Sequence, residues 1–191
     1  YSLTFSLPGT PVIRYGDEIG MGENLSLPER DAVRTPMQWS NENNAGLSRA
    51  EKLVHPVVDD GYYSYKHCNV EDQKRDPGSL LNWMTQMIRL RRQCPEIGIG
   101  EWEILPVKHP HVLVMRYRRN NNALLIVHNF SDTVTEVQFT TKQAGNNRLT
   151  DLRSNTRSEV RGREKHTISL DAFGYRWFEM GELSESNENI E

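Results

Sequence analysis

From residue 101 onward the chain breaks into short apolar or alternating runs, each bounded by turn-forming residues. The runs are 112–118 (Val-Leu-Val-Met-Arg-Tyr-Arg), 123–130 (Ala-Leu-Leu-Ile-Val-His-Asn-Phe), 134–139, 148–152, 166–170 and 175–180. Asn120-Asn121-Asn122, Ser131-Asp132, Gly145-Asn146-Asn147, Gly162 and Gly174 separate them. A period of two places successive side chains on opposite faces, so short runs with such punctuation describe strands that reverse and pair with their neighbours. The pattern predicts an antiparallel β-sandwich over 101–181, with a boundary near Pro106. Alternation sends most of Tyr117, Phe130, Phe139, Tyr175, Trp177 and Phe178 into its core, with Tyr175 and Trp177 on one side of their strand and Phe178 on the other. Residues 182–191 carry Glu182, Glu185, Glu188 and Glu191 with no basic residue, and read as a frayed tail.

The first hundred residues follow a different grammar. Pro11-Val12-Ile13-Arg14-Tyr15 is a short apolar run between Pro8-Gly9 and Gly16, which suits a buried strand with proline at its start. Residues 20–75 show little periodicity and are rich in Gly, Pro, Asn and Asp. A connection this long is uncommon unless it is functional or disordered. Met37, Trp39, Leu53, Val54, Val57, Val58, Tyr62, Tyr63 and Tyr65 oppose plain disorder. A helix is predicted next, with Asp76 as N-cap, Pro77 at its first position, and Pro95 and Gly98 as its stop. Its apolar face, from Leu81 to Cys94, is broad enough to pack on a large neighbour or on a second copy of the chain.

Composition narrows the function. The chain has 191 residues, is 36% hydrophobic, and carries 23 basic and 26 acidic side chains for a net charge of -3. Well-mixed charge gives no nucleic-acid footprint, and no apolar run approaches the roughly 20 residues that span a bilayer. The N-terminus lacks the pattern of a signal peptide. Cys68 and Cys94 are far apart and without a CxxC pairing, which suits two reduced thiols in a cytoplasmic protein. His109-x-His111 has no third ligand nearby, so no metal and no cofactor are expected.

Two segments carry a resemblance. Gly9-x-Pro11-x-x-x-x-Gly16-x-Glu18 resembles the eighth strand of the alpha-amylase superfamily, glycoside hydrolase family 13, and Arg30-Asp31-Ala32-Val33-Arg34-Thr35-Pro36-Met37-Gln38-Trp39 resembles the loop after that strand. The string from Gly16 through Leu25-Ser26-Leu27-Pro28, together with Cys94-Pro95-Glu96-Ile97-Gly98, is most similar to the trehalose synthase branch. The resemblance covers about residues 5–180. It implies a mixed α and β fold: the last strand, loop and helix of a (β/α)8 TIM barrel over 1–100, then the sandwich. It also implies a retaining mechanism on an alpha-glucoside disaccharide such as maltose or trehalose, in which one Asp attacks, one Glu serves as acid/base and a second Asp stabilises the transition state.

In the family those acids follow barrel strands four, five and seven, whereas this chain opens at strand eight and lacks Met at position 1. The expectation is therefore a C-terminal piece without the catalytic acids, inactive alone, whose partner is the remaining barrel. Its own acids are poor substitutes, although Glu29 and Asp31, in the long loop, could share a face. Glycoside cleavage needs two facing carboxylates about 5 Å apart for retention and about 6.5–9.5 Å for inversion. Asp17-Glu18 and Asp59-Asp60 are neighbours that point to opposite sides of an extended chain.

A wall of the sugar pocket is the better reading. Arg30 and Arg34 can donate to sugar hydroxyls through planar guanidinium forks, Gln38 through its amide, and Trp39 can offer a ring face. The competing reading makes Arg30, Asp31 and Arg34 a structural ion-pair network with Met37 and Trp39 in its core. Glu18 is read as accepting backbone N–H groups, and Tyr62, Tyr63 and Tyr65 either as a cap on the pocket mouth or, preferred, as packing on a barrel rim. Three functions compete: isomerisation of maltose to trehalose by intramolecular glucosyl transfer, hydrolysis as in alpha-glucosidases and oligo-1,6-glucosidases, and sugar binding or stabilisation by the sandwich alone.

Overall fold

The computed structural model describes residues 1–141, 148–154, 160–161 and 165–181. The turn signals at Gly145-Asn146-Asn147 and Gly162 and the acidic tail 182–191 lie outside the described residues. The fold is mixed α and β. Four helices come first: α1 (Ser2–Ser6), α2 (Val70–Arg75), α3 (Leu80–Gln93) and α4 (Glu96–Ile99). Eight strands follow: β1 (Glu101–Ile104), β2 (Val112–Arg119), β3 (Asn122–Asn129), β4 (Thr135–Thr140), β5 (Arg148–Asp151), β6 (Val160–Arg161), β7 (Lys165–Leu170) and β8 (Tyr175–Gly181).

All described strand pairs are antiparallel, in a five-stranded sheet ordered β1-β2-β3-β8-β5 and a three-stranded sheet ordered β4-β7-β6. Val114, Leu125, Val127, Leu149, Phe178 and Met180 from the first sheet meet Val137, Phe139, Ile168 and Leu170 from the second in one buried core. That is the predicted sandwich, and β4 shows its alternation most plainly, with Thr135, Val137 and Phe139 buried and Glu136, Gln138 and Thr140 exposed. Central β3 is buried on both faces from Ala123 to Asn129, which explains why its run is continuous rather than alternating. Tyr117, Trp177 and Phe178 are all fully buried.

The chain divides into two compact units. Tyr1–Thr10 and Leu90 onward form one, and Pro11–Arg89 form the other. Side chains tie the N-terminal residues to the sandwich unit. Tyr117 Oη donates to the Ser6 carbonyl at 2.5 Å, Ser6 Oγ lies 2.9 Å from His128 Nε2, and the Arg91 guanidinium donates to the carbonyls of Phe5, Leu7 and Gly9. Sequence separation hides such contacts.

Two local expectations are corrected. Residues 11–15 are not a strand, and Val12 is 88% exposed. A parallel strand takes its backbone partners from strands on either side, and no described segment pairs with this one. The helix cap also moves. Asp76 ends α2, with its Oδ1 accepting from Gly78 N at 2.8 Å. Ser79 Oγ accepts from Asn82 N at 3.2 Å, the bond that an N-cap makes at the start of α3. Pro95 opens α4 rather than merely ending α3, and Gly98 lies inside that turn.

Candidate functional site

The site is built in the second unit, Pro11–Arg89. Gly16, at φ 91°, turns the chain into a short 3-10 segment, Asp17–Ile19. Glu18 Oε2 accepts from Gly16 N at 2.8 Å and Asp17 Oδ2 from Arg14 N at 3.0 Å, so both acids of this turn serve the backbone, as read for Glu18. The Ile19 carbonyl is then a junction, accepting from Gln73 Nε2 at 2.7 Å and from Cys68 Sγ at 3.1 Å. Ile19, Met37, Cys68 and Val70 form a small apolar core with Met21 and Leu81 against it.

The irregular segment is stitched to this core. Val70 N donates to the Gln38 carbonyl and Glu71 N to the Trp39 carbonyl, both at 3.0 Å. Asn24 N donates to the Ala32 carbonyl at 2.9 Å, and Tyr15 Oη to the Thr35 carbonyl at 3.0 Å. Between these ties runs a 3-10 turn, Glu29–Val33, with Ala32 turned inward.

The structure treats the four predicted site residues differently. Arg30 and Arg34 are exposed, and among the described residues neither forms an ion pair with Asp31 or any other acid. The ion-pair network is therefore not built, and both guanidinium forks face outward from a turn held at its base. Trp39 is 49% exposed, so it does not belong to the core that holds Met37. Gln38 is the correction. It is fully buried, its Nε2 donates to the carbonyls of Tyr63 (3.1 Å) and Cys68, and its Oε1 is buried as well. An amide with both hydrogens committed inside the fold cannot donate them to a sugar.

Tyr62 and Tyr63, read as rim packing or as a cap on the pocket mouth, lie in a tight turn. Ser64 N donates to the Gly61 carbonyl at 3.2 Å, closing a four-residue turn with the two tyrosines at its centre. The two residues are 82% and 52% exposed. The legible signal was Asp59-Asp60-Gly61, a turn opener that calls for the φ of 71° found at Gly61.

Electrostatic perturbation concentrates in the sandwich unit. Burial, and then the positive amino terminus, hold His128 down at about 4. Burial pushes the Tyr117 hydroxyl and the Cys94 thiol up to about 12 each. The hydrogen bond from Arg116 holds Glu103 below the usual carboxylate range. Burial pushes Asp151 up, but hydrogen bonds from Arg176 and the Ser154 and Arg153 amides together bring it below its ordinary value. His128, Tyr117, Glu103 and Asp151 each have a hydrogen-bond partner in the fold, as structural groups do. No group of three or more His, Cys, Asp or Glu side chains able to hold a metal occurs among the described residues. No helix among them is long and apolar enough to cross a membrane.

Arg30, Arg34 and Trp39 thus stand exposed on a loop pinned by backbone and side-chain hydrogen bonds. Comparison with known proteins gives that loop its setting. Residues 1–100 match the catalytic domain model of alpha amylase and residues 122–179 the C-terminal domain model of sucrose hydrolase-like proteins. The chain belongs to the alpha-amylase family. It is 37% identical over 187 residues to the trehalose synthase of Pimelobacter sp. (strain R48), covering 94% of this chain and 32% of that protein. It is 43% identical over 133 residues to the trehalose synthase of Thermus thermophilus, covering 68% and 14%. The crystal structure of Bacillus licheniformis trehalose-6-phosphate hydrolase shares the fold at a TM-score of 0.71 and 20% identity, covering 95% of this chain and 38% of that one. The chain thus spans about a third or less of the length of the curated relatives named here.

Proposed function

We propose that this chain supplies one wall of the sugar pocket of a trehalose synthase-like enzyme, which isomerises maltose to trehalose by intramolecular glucosyl transfer. The observation that carries this reading is the pair of exposed guanidinium groups, Arg30 and Arg34, on a turn fixed through Asn24, Ala32 and Thr35. Each offers a planar fork of donors to vicinal hydroxyls, and Trp39 flanks them with an exposed ring. Gln38 acts from beneath as a positioning residue, holding Tyr63 and Cys68. The named relatives favour the synthase over the glucosidase alternative. The full burial of Tyr117, Trp177 and Phe178 disfavours a sugar-binding sheet face in the sandwich. Free, buried Cys68 and Cys94 suit a reducing cytoplasm.

Residues 1–191 by themselves bind but do not turn over sugar, because the family resemblance carries none of the catalytic acids onto them and Asp17, Glu18, Glu103 and Asp151 are engaged with backbone or arginine groups. The test is a maltose titration of the purified chain by saturation-transfer NMR, with product analysis alongside. Arg30→Ala and Arg34→Ala should each weaken binding about tenfold, the worth of a hydrogen bond to a charged group. Neither trehalose nor glucose should accumulate above a blank. Unchanged affinity in both variants removes the pocket wall from the proposal, and glucose release in place of trehalose by an enzyme carrying this chain selects the hydrolase.

A further inference from the structure

Tyr62 and Tyr63 are adjacent and exposed, and a contiguous aromatic patch is more informative than a single exposed side chain. These two are also held firmly. Tyr65 N donates to the carbonyl of buried Val58 at 2.9 Å, closing the base of the loop. The Tyr63 carbonyl accepts from buried Gln38. On its other side Tyr63 sits directly on Gly22, where a Cβ would come within 2.5 Å of Tyr63 Cβ and 2.6 Å of Cγ. No residue but glycine fits there, so the loop at 22 is shaped to let this side chain lie down.

The rings themselves meet edge to face, with centroids 5.2 Å apart and planes at 88°. They form a right-angled corner in which Tyr62 is largely and Tyr63 about half exposed, and neither hydroxyl has a hydrogen-bond partner among the described residues. Two residues beyond Gly22, Asn24 bonds Ala32, which lies between Arg30 and Arg34. The corner and the arginine turn are therefore joined through one short segment.

We propose that the Tyr62–Tyr63 corner is a stacking platform for a pyranose ring of the alpha-glucoside whose hydroxyls Arg30 and Arg34 hold, a placement that rests on the pocket-wall reading above. A pyranose presents C–H groups on its faces and hydroxyls around its rim. A tyrosine pair matches both, with an apolar ring for the face and a phenol for the rim, and little side-chain freedom is lost on binding. The arginines select hydroxyl positions, while the corner selects a flat six-membered ring.

The experiment is a maltose titration of the full chain, wild type against Tyr62→Ala, Tyr63→Ala, Tyr62→Phe and an Arg30→Ala/Arg34→Ala double variant, by saturation-transfer NMR and calorimetry. Tyr62→Ala should weaken binding up to about tenfold, as the loss of an aromatic contact does. It should leave the melting temperature in place, since the side chain is already exposed. Tyr62→Phe should keep most of the affinity, and saturation should reach the ring C–H protons of the sugar first. If both alanine variants at the tyrosines bind as wild type while the arginine double variant does not, the platform is overturned and the pocket wall stands. If the tyrosine variants lose binding and the arginine variant does not, the platform stands and the arginine role falls. Binding unchanged in every variant, or no maltose response from wild type, overturns both.

Discussion

The sandwich unit and the loop unit solve the same problem by opposite means. In the sandwich, backbone N–H and C=O groups are satisfied by ladders, which frees the side chains of β2, β3, β7 and β8 to be apolar and fill one core. In the loop unit no ladder exists, and side-chain amides take over. Gln38 serves the carbonyls of Tyr63 and Cys68, Gln73 serves Ile19 and Leu81, Asn82 serves Gln73 and Asp76, and Asn69 caps α2. Buried backbone groups must be paired whether or not a sheet is present. Polar residues in a long irregular segment are thus structural first, and only those left without an internal partner are free for a ligand. That criterion separates Gln38 from Arg30 and Arg34.

Breaking each unit at its own support sharpens the contrast. The largest effect should come from Phe178→Ala, which empties a fully buried position in the sandwich core and costs about 3–5 kcal/mol. The loss should appear as a lowered denaturation midpoint, and a midpoint within experimental scatter of wild type would mean that the core is not organised around β8.

Acid should act next, again on the sandwich unit. His128 is neutral in the fold, with its pKa lowered to about 4, while the unfolded chain takes its proton near pH 6.5. The unfolded state therefore binds more protons below that value. Stability is complete above pH 6.5, falls as the pH drops, and stops falling below about pH 4, by on the order of 3 kcal/mol. Buried His166, lowered in the same direction by burial, adds to the loss. Replacing His128 by Gln should flatten the curve between those limits, and an unaltered acid limb would assign it to other groups.

Smaller, and confined to the loop unit, is the effect of Gln38→Leu. It leaves the Tyr63 and Cys68 carbonyls without their donor and should cost about 1–3 kcal/mol. Amide exchange should quicken over residues 58–70 and remain slow through β2, β3 and β8. Uniform quickening across both units would show that the amide is not a local support.

The sandwich was legible because its strands are short, alternating and punctuated. Only β1 and β6 went unread. β1, Glu-Trp-Glu-Ile, is mostly exposed, so burial leaves no mark on it. The arginine turn was legible through its motif, but the partition of that motif was not. Met37, Gln38 and Trp39 are consecutive, and nothing in their order says that two turn inward and one outward. For Tyr62 and Tyr63 the sequence left packing and a pocket-mouth role side by side, because tyrosine suits a core and a binding face equally well.

By itself the sequence determined the family and the antiparallel sandwich, because those follow from residue pattern and motif along the chain. Only the tertiary structure decided that Gln38 is a strut, that Arg30 and Arg34 are unpaired, that the Ser79 hydroxyl caps α3, and that the tyrosine corner is fixed on Gly22. Each of these depends on which backbone groups lack a partner once distant segments meet, and hydrogen-bond demand is a property of the assembled fold rather than of any stretch of chain.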